Sequence, residues 1–327
     1  NNQLRALPES IGNLQALQYL CLNNSTLSGI PDSILQLSGN CSIELIECNL
    51  SVNVLERLRE ATQADSYSGP RISYSIADRR AVLEEKSIQQ SLNNLYTIIG
   101  EHPAEFTNLQ ETQELCSWLS RLSDTADYKA DGEMQKAFAK KIIDYLNQAN
   151  NNIDFRTTFY EVIQGASETC GDRITLSILH LNIAHQLATI DLKDMKKLAD
   201  FLIKGPWTIE MLENAAREKI PHLNLFDEIE VYLGYPIQLK KDLEIPIDVQ
   251  NMLYFTCSAL TPRDLEETKN AILNEREDQE KRLKSLINHT TWQKALSVNY
   301  PEEYQVIMDK REEASAVENP EYILDGF

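Results

Sequence analysis

A chain of 327 residues with 42 % apolar content is long enough for more than one hydrophobic core. Its formal charge of −19 and pI near 4.7 argue against binding a nucleic-acid backbone or an anionic membrane surface, both of which need lysine and arginine, and favour basic protein partners. No apolar run reaches membrane-spanning length, and the six cysteines show neither CxxC pairs nor metal-ligand spacing, so free thiols in a reducing compartment are expected, with no metal and no cofactor.

The first fifty residues repeat with a period of 23: "LRALPESIGNL" at 4–14 aligns with "LSGIPDSILQL" at 27–37. The following segment repeats as well, with Leu20, Leu22, Ser25 and Leu27 matching Ile43, Leu45, Cys48 and Leu50. This is the leucine-rich repeat pattern LxxLxLxxNxL, with Ser25 and Cys48 where asparagine is commonest. About three such repeats are needed for a stable stack, so the chain is expected to begin inside a longer array. "SVNVLERLREATQA" (51–64) has helical apolar spacing and reads as the closing helix. In 65–78, Gly69-Pro70 marks a turn and Ile72, Tyr74 and Ile76 alternate like a short extended segment. The resulting division is 1–66 repeats and cap helix, 67–80 linker, and 81–327 helical domain.

Beyond residue 78 the apolar spacing is helical and no strand pattern stands out. Phe106, Leu109, Leu115, Trp118, Leu119 and Leu122 are one such set. Further helices are predicted near 132–148, 152–166, 172–188, 191–203, 208–219, 223–242, 247–256 and 261–288, with prolines at or near the breaks. The fold class is mainly α: a few short parallel strands of a repeat solenoid, then an all-α domain.

Two stretches carry candidate chemistry. Cys170, in "SETCGDRITLS", stands where a helix is about to begin, and a helix N-terminus lowers a thiol's pKa. Arg173 adds positive charge, and Asp172 could accept a proton from an incoming amine. Residues two apart on a helix face opposite sides, so the pair shares a site only if Cys170 precedes the helix. The plain alternative is a buried thiol beside an acid that opens a helix. A hydrolase would need a histidine base, but His180 and His185 lie ~15 Å or more along the same predicted helix. The second stretch, "LFDEIEVYLG" (225–234), sets Asp227, Glu228 and Glu230 in an apolar frame. It reads either as a helix with a solvated acidic face or as one turning an acid inward, toward Arg217 or the Cys170 loop.

Together these blocks resemble the NEL (novel E3 ligase) family, the IpaH type of bacterial effector ubiquitin ligases. "TCGDRITL" is similar to that family's catalytic CxDR[VI]T segment, with Gly171 where an acid such as glutamate is expected. "LCSWLSRLSDTADYK" and "IEMLENAAREKIPHLNLFDEIEVYLGY" resemble its helices. The resemblance implies an E3 that takes ubiquitin from a charged E2 as a thioester on Cys170 and passes it to a substrate lysine, with Asp172 as general base. Arg173, Arg217, Asp227, Glu228 and Glu230 are possible supporting residues. It further implies a host substrate protein recruited by the repeats, and secretion by a bacterium into the host cytoplasm or nucleus. The alternatives are a non-catalytic repeat scaffold and a cysteine hydrolase of ubiquitin conjugates.

Overall fold

In a computed structural model of the chain, the described residues are 4–23, 25–27, 29–46, 48, 50–64, 66–74, 86–130, 132–167, 171–248 and 258–318. The chain is mainly helical, with one small parallel sheet.

The sheet follows from the 23-residue period. Strands β1 (Tyr19–Cys21) and β2 (Ser42–Leu45) pair in parallel with Leu20 opposite Ile43, one period apart. The 3-10 turns Glu9–Asn13 and Asp32–Gln36, each entered from a proline, lie one period apart in the same way. Between turns and strands the repeated apolar positions Leu22, Leu27, Ile30, Ile34, Leu37, Ile43 and Leu45 bury together. Helix α1 (Val52–Thr62), capped by the Ser51 side chain on the Val54 N–H, adds Leu55 and Leu58 to that core. Strand β3 (Arg71–Tyr74) then pairs with β2, Ile72 opposite Ile43.

The helical part runs α2 (Ile88–Ile99), α3 (Gln113–Arg121), α4 (Ala126–Lys129), α5 (Glu133–Asn151), α6 (Ile153–Ser167), α7 (Gly171–Thr189), α8 (Met195–Leu202) and α9 (Thr208–Lys219). After a two-residue strand β4 (Leu225–Phe226) come α10 (Glu228–Leu239), α11 (Pro262–Glu277), α12 (Gln279–Asn288), α13 (Thr290–Asn299) and α14 (Pro301–Glu318). Local sequence sets many of these starts. Ser87 and Gln90 form a capping box on α2, Thr261 and Asp264 another on α11, and Asp194 caps α8.

Two apolar cores fill the helical part. One joins α2, α3, α5, α6 and the Ile174/Ile178/Leu181 face of α7; the other joins the Leu179 face of α7 to α8–α11 and α13. Helix α7 is therefore apolar around most of its circumference, as a helix shared by two cores must be.

Four features depart from the sequence reading. The helix predicted over 223–242 begins only at Glu228, because Leu225 and Phe226 form β4. That strand is parallel to β3, Ile72 opposite Leu225, so the helical part supplies the sheet's fourth strand. The helix predicted over 261–288 is broken at Asp278, which ends α11 and caps α12. The break expected at "IKGPW" is instead a π-turn, Ile203–Trp207, that carries α8 into α9 without interruption. The Thr208 hydroxyl donates to the Ile203 carbonyl across this turn at 2.8 Å. The helix predicted over 247–256 falls mostly outside the described residues.

Candidate functional site

The head of α7 is the candidate site. The helix starts at Gly171, one residue after Cys170, and its first four N–H groups have no partner within the helix. Asp172 and Arg173 occupy its first turn. Cys170 and the side chains of Asp172 and Arg173 lie outside the described residues, so the expected sharing of one face by Cys170 and Asp172 falls there too.

What fixes this helix end is well defined. The buried Trp118 of α3 donates its indole N–H to the Ser177 hydroxyl at 2.8 Å, and Ser177 donates in turn to the Ile174 carbonyl at 2.6 Å. Ile174 and Ile178 are fully buried on the same side, and Trp118 meets Phe159 of α6 edge to face. On the opposite side Leu176 packs against Ile229 and Leu233 of α10. The start of α7 is thus held between α3 and α10.

The second sequence stretch arrives here through α10. Asp227 is the N-cap of α10, accepting the Ile229 N–H at 3.1 Å. It is 1 % exposed and Glu230 is 4 % exposed, while Glu228 faces solvent. Two acids therefore turn inward, and the reading of a wholly solvated acidic face is wrong. Arg217 does not serve it in the way expected: the residue is exposed, and its Nη1 donates to Asn214 Oδ1 at 2.6 Å on the same helix.

The two histidines of α7 have partners of their own. His180 Nε2 lies 2.7 Å from Glu213 Oε1 and points to α9. His185 is packed between the Tyr145 and Phe155 rings, and burial holds its pKa below the ordinary value. His222 is exposed and His289 caps α13. Among the described cysteines Cys41 and Cys48 are buried in the sheet core, with burial raising the Cys41 pKa, and Cys116 is half-buried on α3. Cys21 is exposed on β1, away from any helix start. Among the described residues no group of three His, Cys, Asp or Glu side chains could hold a metal, and no helix is long and apolar enough to cross a membrane.

Sequence reasoning missed Trp118 and Ser177. They are 59 positions apart, and only the tertiary fold pairs them. It also missed Arg71, which binds the segment leading into α10. The Arg71 guanidinium donates to the carbonyls of Ile220 at 3.0 Å and Leu223 at 3.3 Å, and lies 5.8 Å from the centre of the Phe226 ring.

Residues 102–303 match the family model described as "C-terminal novel E3 ligase, LRR-interacting". The chain belongs to this NEL family. Relatives include the E3 ubiquitin-protein ligase ipaH9.8 of Shigella dysenteriae, 27 % identical over 279 residues, which are 83 % of this chain and 50 % of the relative. The ipaH3 ligase of Shigella flexneri is 26 % identical over 80 % of this chain and 46 % of its own length. The ipaH7.8 ligase of the same species is 25 % identical over 78 % and 46 %. The chain thus spans about half the length of these relatives. The NEL match covers everything from just before α3 to the start of α14 and includes the head of α7.

Proposed function

We propose that this chain carries the transfer domain of an E3 ubiquitin ligase working through a cysteine thioester. Its NEL membership over residues 102–303 carries the reading, and every named relative above is an E3 ubiquitin-protein ligase. In the first step the Cys170 thiolate attacks the thioester carbonyl of an E2–ubiquitin conjugate. The Cys170–ubiquitin thioester forms and the E2 thiolate leaves. In the second step a substrate lysine amine attacks the new thioester, an isopeptide bond forms, and Cys170 leaves as thiolate. The attacking amine must lose a proton, which Asp172 takes.

Local physics supports both roles. A thiolate beside the unpaired N–H groups and positive dipole end of α7 is stabilised, both as nucleophile and as leaving group. A carboxylate in the first helical turn stays ionised at neutral pH, ready to accept a proton. Arg173 would add positive charge at the same end, and the inward-turned Asp227 and Glu230 would orient the head of α7 through α10. Exposed Glu228 would offer charge to a basic E2 surface; Arg217, on the exposed end of α9, is assigned no part. Residues 1–66 would be leucine-rich repeats and a cap helix ending a substrate-recruiting array, in a protein delivered by a bacterium into a host cell.

The test is a reaction of the chain with E1, E2, ubiquitin and ATP, read on non-reducing gels. A ubiquitin adduct removed by reductant is expected, absent in Cys170→Ala. In Asp172→Asn the adduct should form but discharge onto lysine about 10²–10⁴-fold more slowly. An adduct that persists in Cys170→Ala, or normal discharge by Asp172→Asn, refutes the respective assignment. A chain that forms no adduct and only binds would be a scaffold.

A further inference from the structure

We infer that the groove between α8 and α12 is a docking site for an acidic, amphipathic segment of a partner protein. The inference goes beyond the ligase reading and does not depend on it.

The groove has a volume of about 670 Å³. Its floor is apolar: Ala199 and Ile203 from one side, Leu283 and Leu286 from the other. Leu283 is 50 % exposed, and Ile287, one turn on, is 57 % exposed. Two large apolar side chains side by side in water form a patch that a partner would cover. The rim is cationic. Lys196, Lys197 and Arg282 are exposed and make no ion pair among the described residues.

That is unusual for this chain, which has 50 acidic residues for 31 basic ones. Nearby cations are neutralised: Lys204 binds Asp200 and Glu244, and Lys281 binds Glu275. The groove's own acids, Asp194 and Asp200, are held by local contacts but keep their charge. Asp194 accepts the Lys197 N–H as the cap of α8, and Asp200 is paired with Lys204. Three cations against the two carboxylates leave the lining net positive over an apolar floor, a local reversal of the chain's charge that is complementary to acids flanking an apolar stripe. A concave slot with acids in its wall suits an inserted helix or strand better than a flat anionic lipid surface. The site is also remote from the transfer chemistry. Helix α8 follows the far end of α7, whose 19 residues span ~28 Å, so an occupant here leaves the head of α7 open.

The test uses the full chain and two fluorescent helical peptides of about 16 residues with the same leucine stripe, one flanked by glutamates and the other by lysines. The glutamate peptide should bind saturably. Its affinity should fall at least tenfold in Lys196→Glu/Lys197→Glu/Arg282→Glu and, separately, in Leu283→Asp, and should weaken as salt rises from about 0.05 to 0.5 M. Both variants should keep the parent chain's far-ultraviolet circular dichroism spectrum and urea midpoint, which report folding independently of any ligase activity. Equal binding of the lysine peptide, affinity unchanged in either variant, absence of binding at millimolar peptide, or preferential cosedimentation with phosphatidylserine vesicles would each overturn the inference.

Discussion

Replacing Arg71 with alanine probes the β3–β4 seam, where the sheet meets the helical part. Its guanidinium makes two hydrogen bonds to main-chain carbonyls, at 3.0 and 3.3 Å, and one cation–π contact at 5.8 Å. A bond involving a charged donor contributes about 1.5–3 kcal/mol. The second bond is long and Arg71 is half-buried, so both carbonyls regain some water when it is removed, and the pair is worth about 2 kcal/mol. The Phe226 contact adds about 0.5–1 kcal/mol. Loss of about 2–3 kcal/mol corresponds to a roughly 30–150-fold rise in the opening equilibrium of β3 against β4. The Ile72 N–H donates to the Asn224 carbonyl across that seam at 2.7 Å, so its exchange with deuterium reports opening directly. Mass spectrometry of peptides covering 71–74 and 223–229 should show faster exchange in Arg71→Ala, with the amides of α5 unaffected. Arg71→Lys should fall between, since one ammonium cannot span two carbonyls as the planar fork does. Unchanged exchange in Arg71→Ala would show that strand pairing and Leu225 burial alone hold the seam.

Ser177→Ala strands the buried Trp118 indole N–H and should lower stability by about 1–3 kcal/mol, measured by urea unfolding followed by tryptophan fluorescence. A double-mutant cycle with Trp118→Phe should give a coupling above about 0.5 kcal/mol, and additive losses would refute the hydrogen bond's role. His185 is held below its ordinary pKa of 6.5 by burial, despite nearby Asp144. Its folded-state pKa is depressed, so the unfolded chain binds the proton first. The stability it contributes is complete above about pH 6.5 and drains away as pH falls below that value. The urea midpoint should therefore drop between pH 7 and 5, and His185→Phe should flatten the drop, leaving the remainder to His289, which burial shifts the same way.

Sequence periodicity located α5, α6, α7 and α9 to within a few residues, because each buries one or two continuous apolar faces. The 23-residue repeat gave the β1–β2 register in the same way. The errors share a cause. Leu225 and Phe226 fit a helical stripe, but Asp227 is the cap that starts α10, and an aspartate followed three places on by Glu230 is the signal that was passed over. At Asp278 the surrounding charges carry no apolar rhythm, so nothing in the spacing marks the change from α11 to α12. At the candidate site the inward turn of Asp227 and Glu230, the Trp118–Ser177 bond and the grip of Arg71 all depend on residues distant in sequence, which local pattern does not encode.

The π-turn between α8 and α9 takes up one residue of length within a continuous helix. A π-turn holds one residue more than an α-turn. Ahead of it Leu198, Phe201 and Leu202 face the core; behind it Ile209, Leu212 and Ala216 face the same core. A chain one residue shorter between Ile203 and Trp207 would close this turn as ordinary α-helix and keep those three side chains on the core. A chain one residue longer would have no spare turn to absorb the addition and would rotate everything downstream by ~100°. The same segment therefore tolerates a deletion better than an insertion.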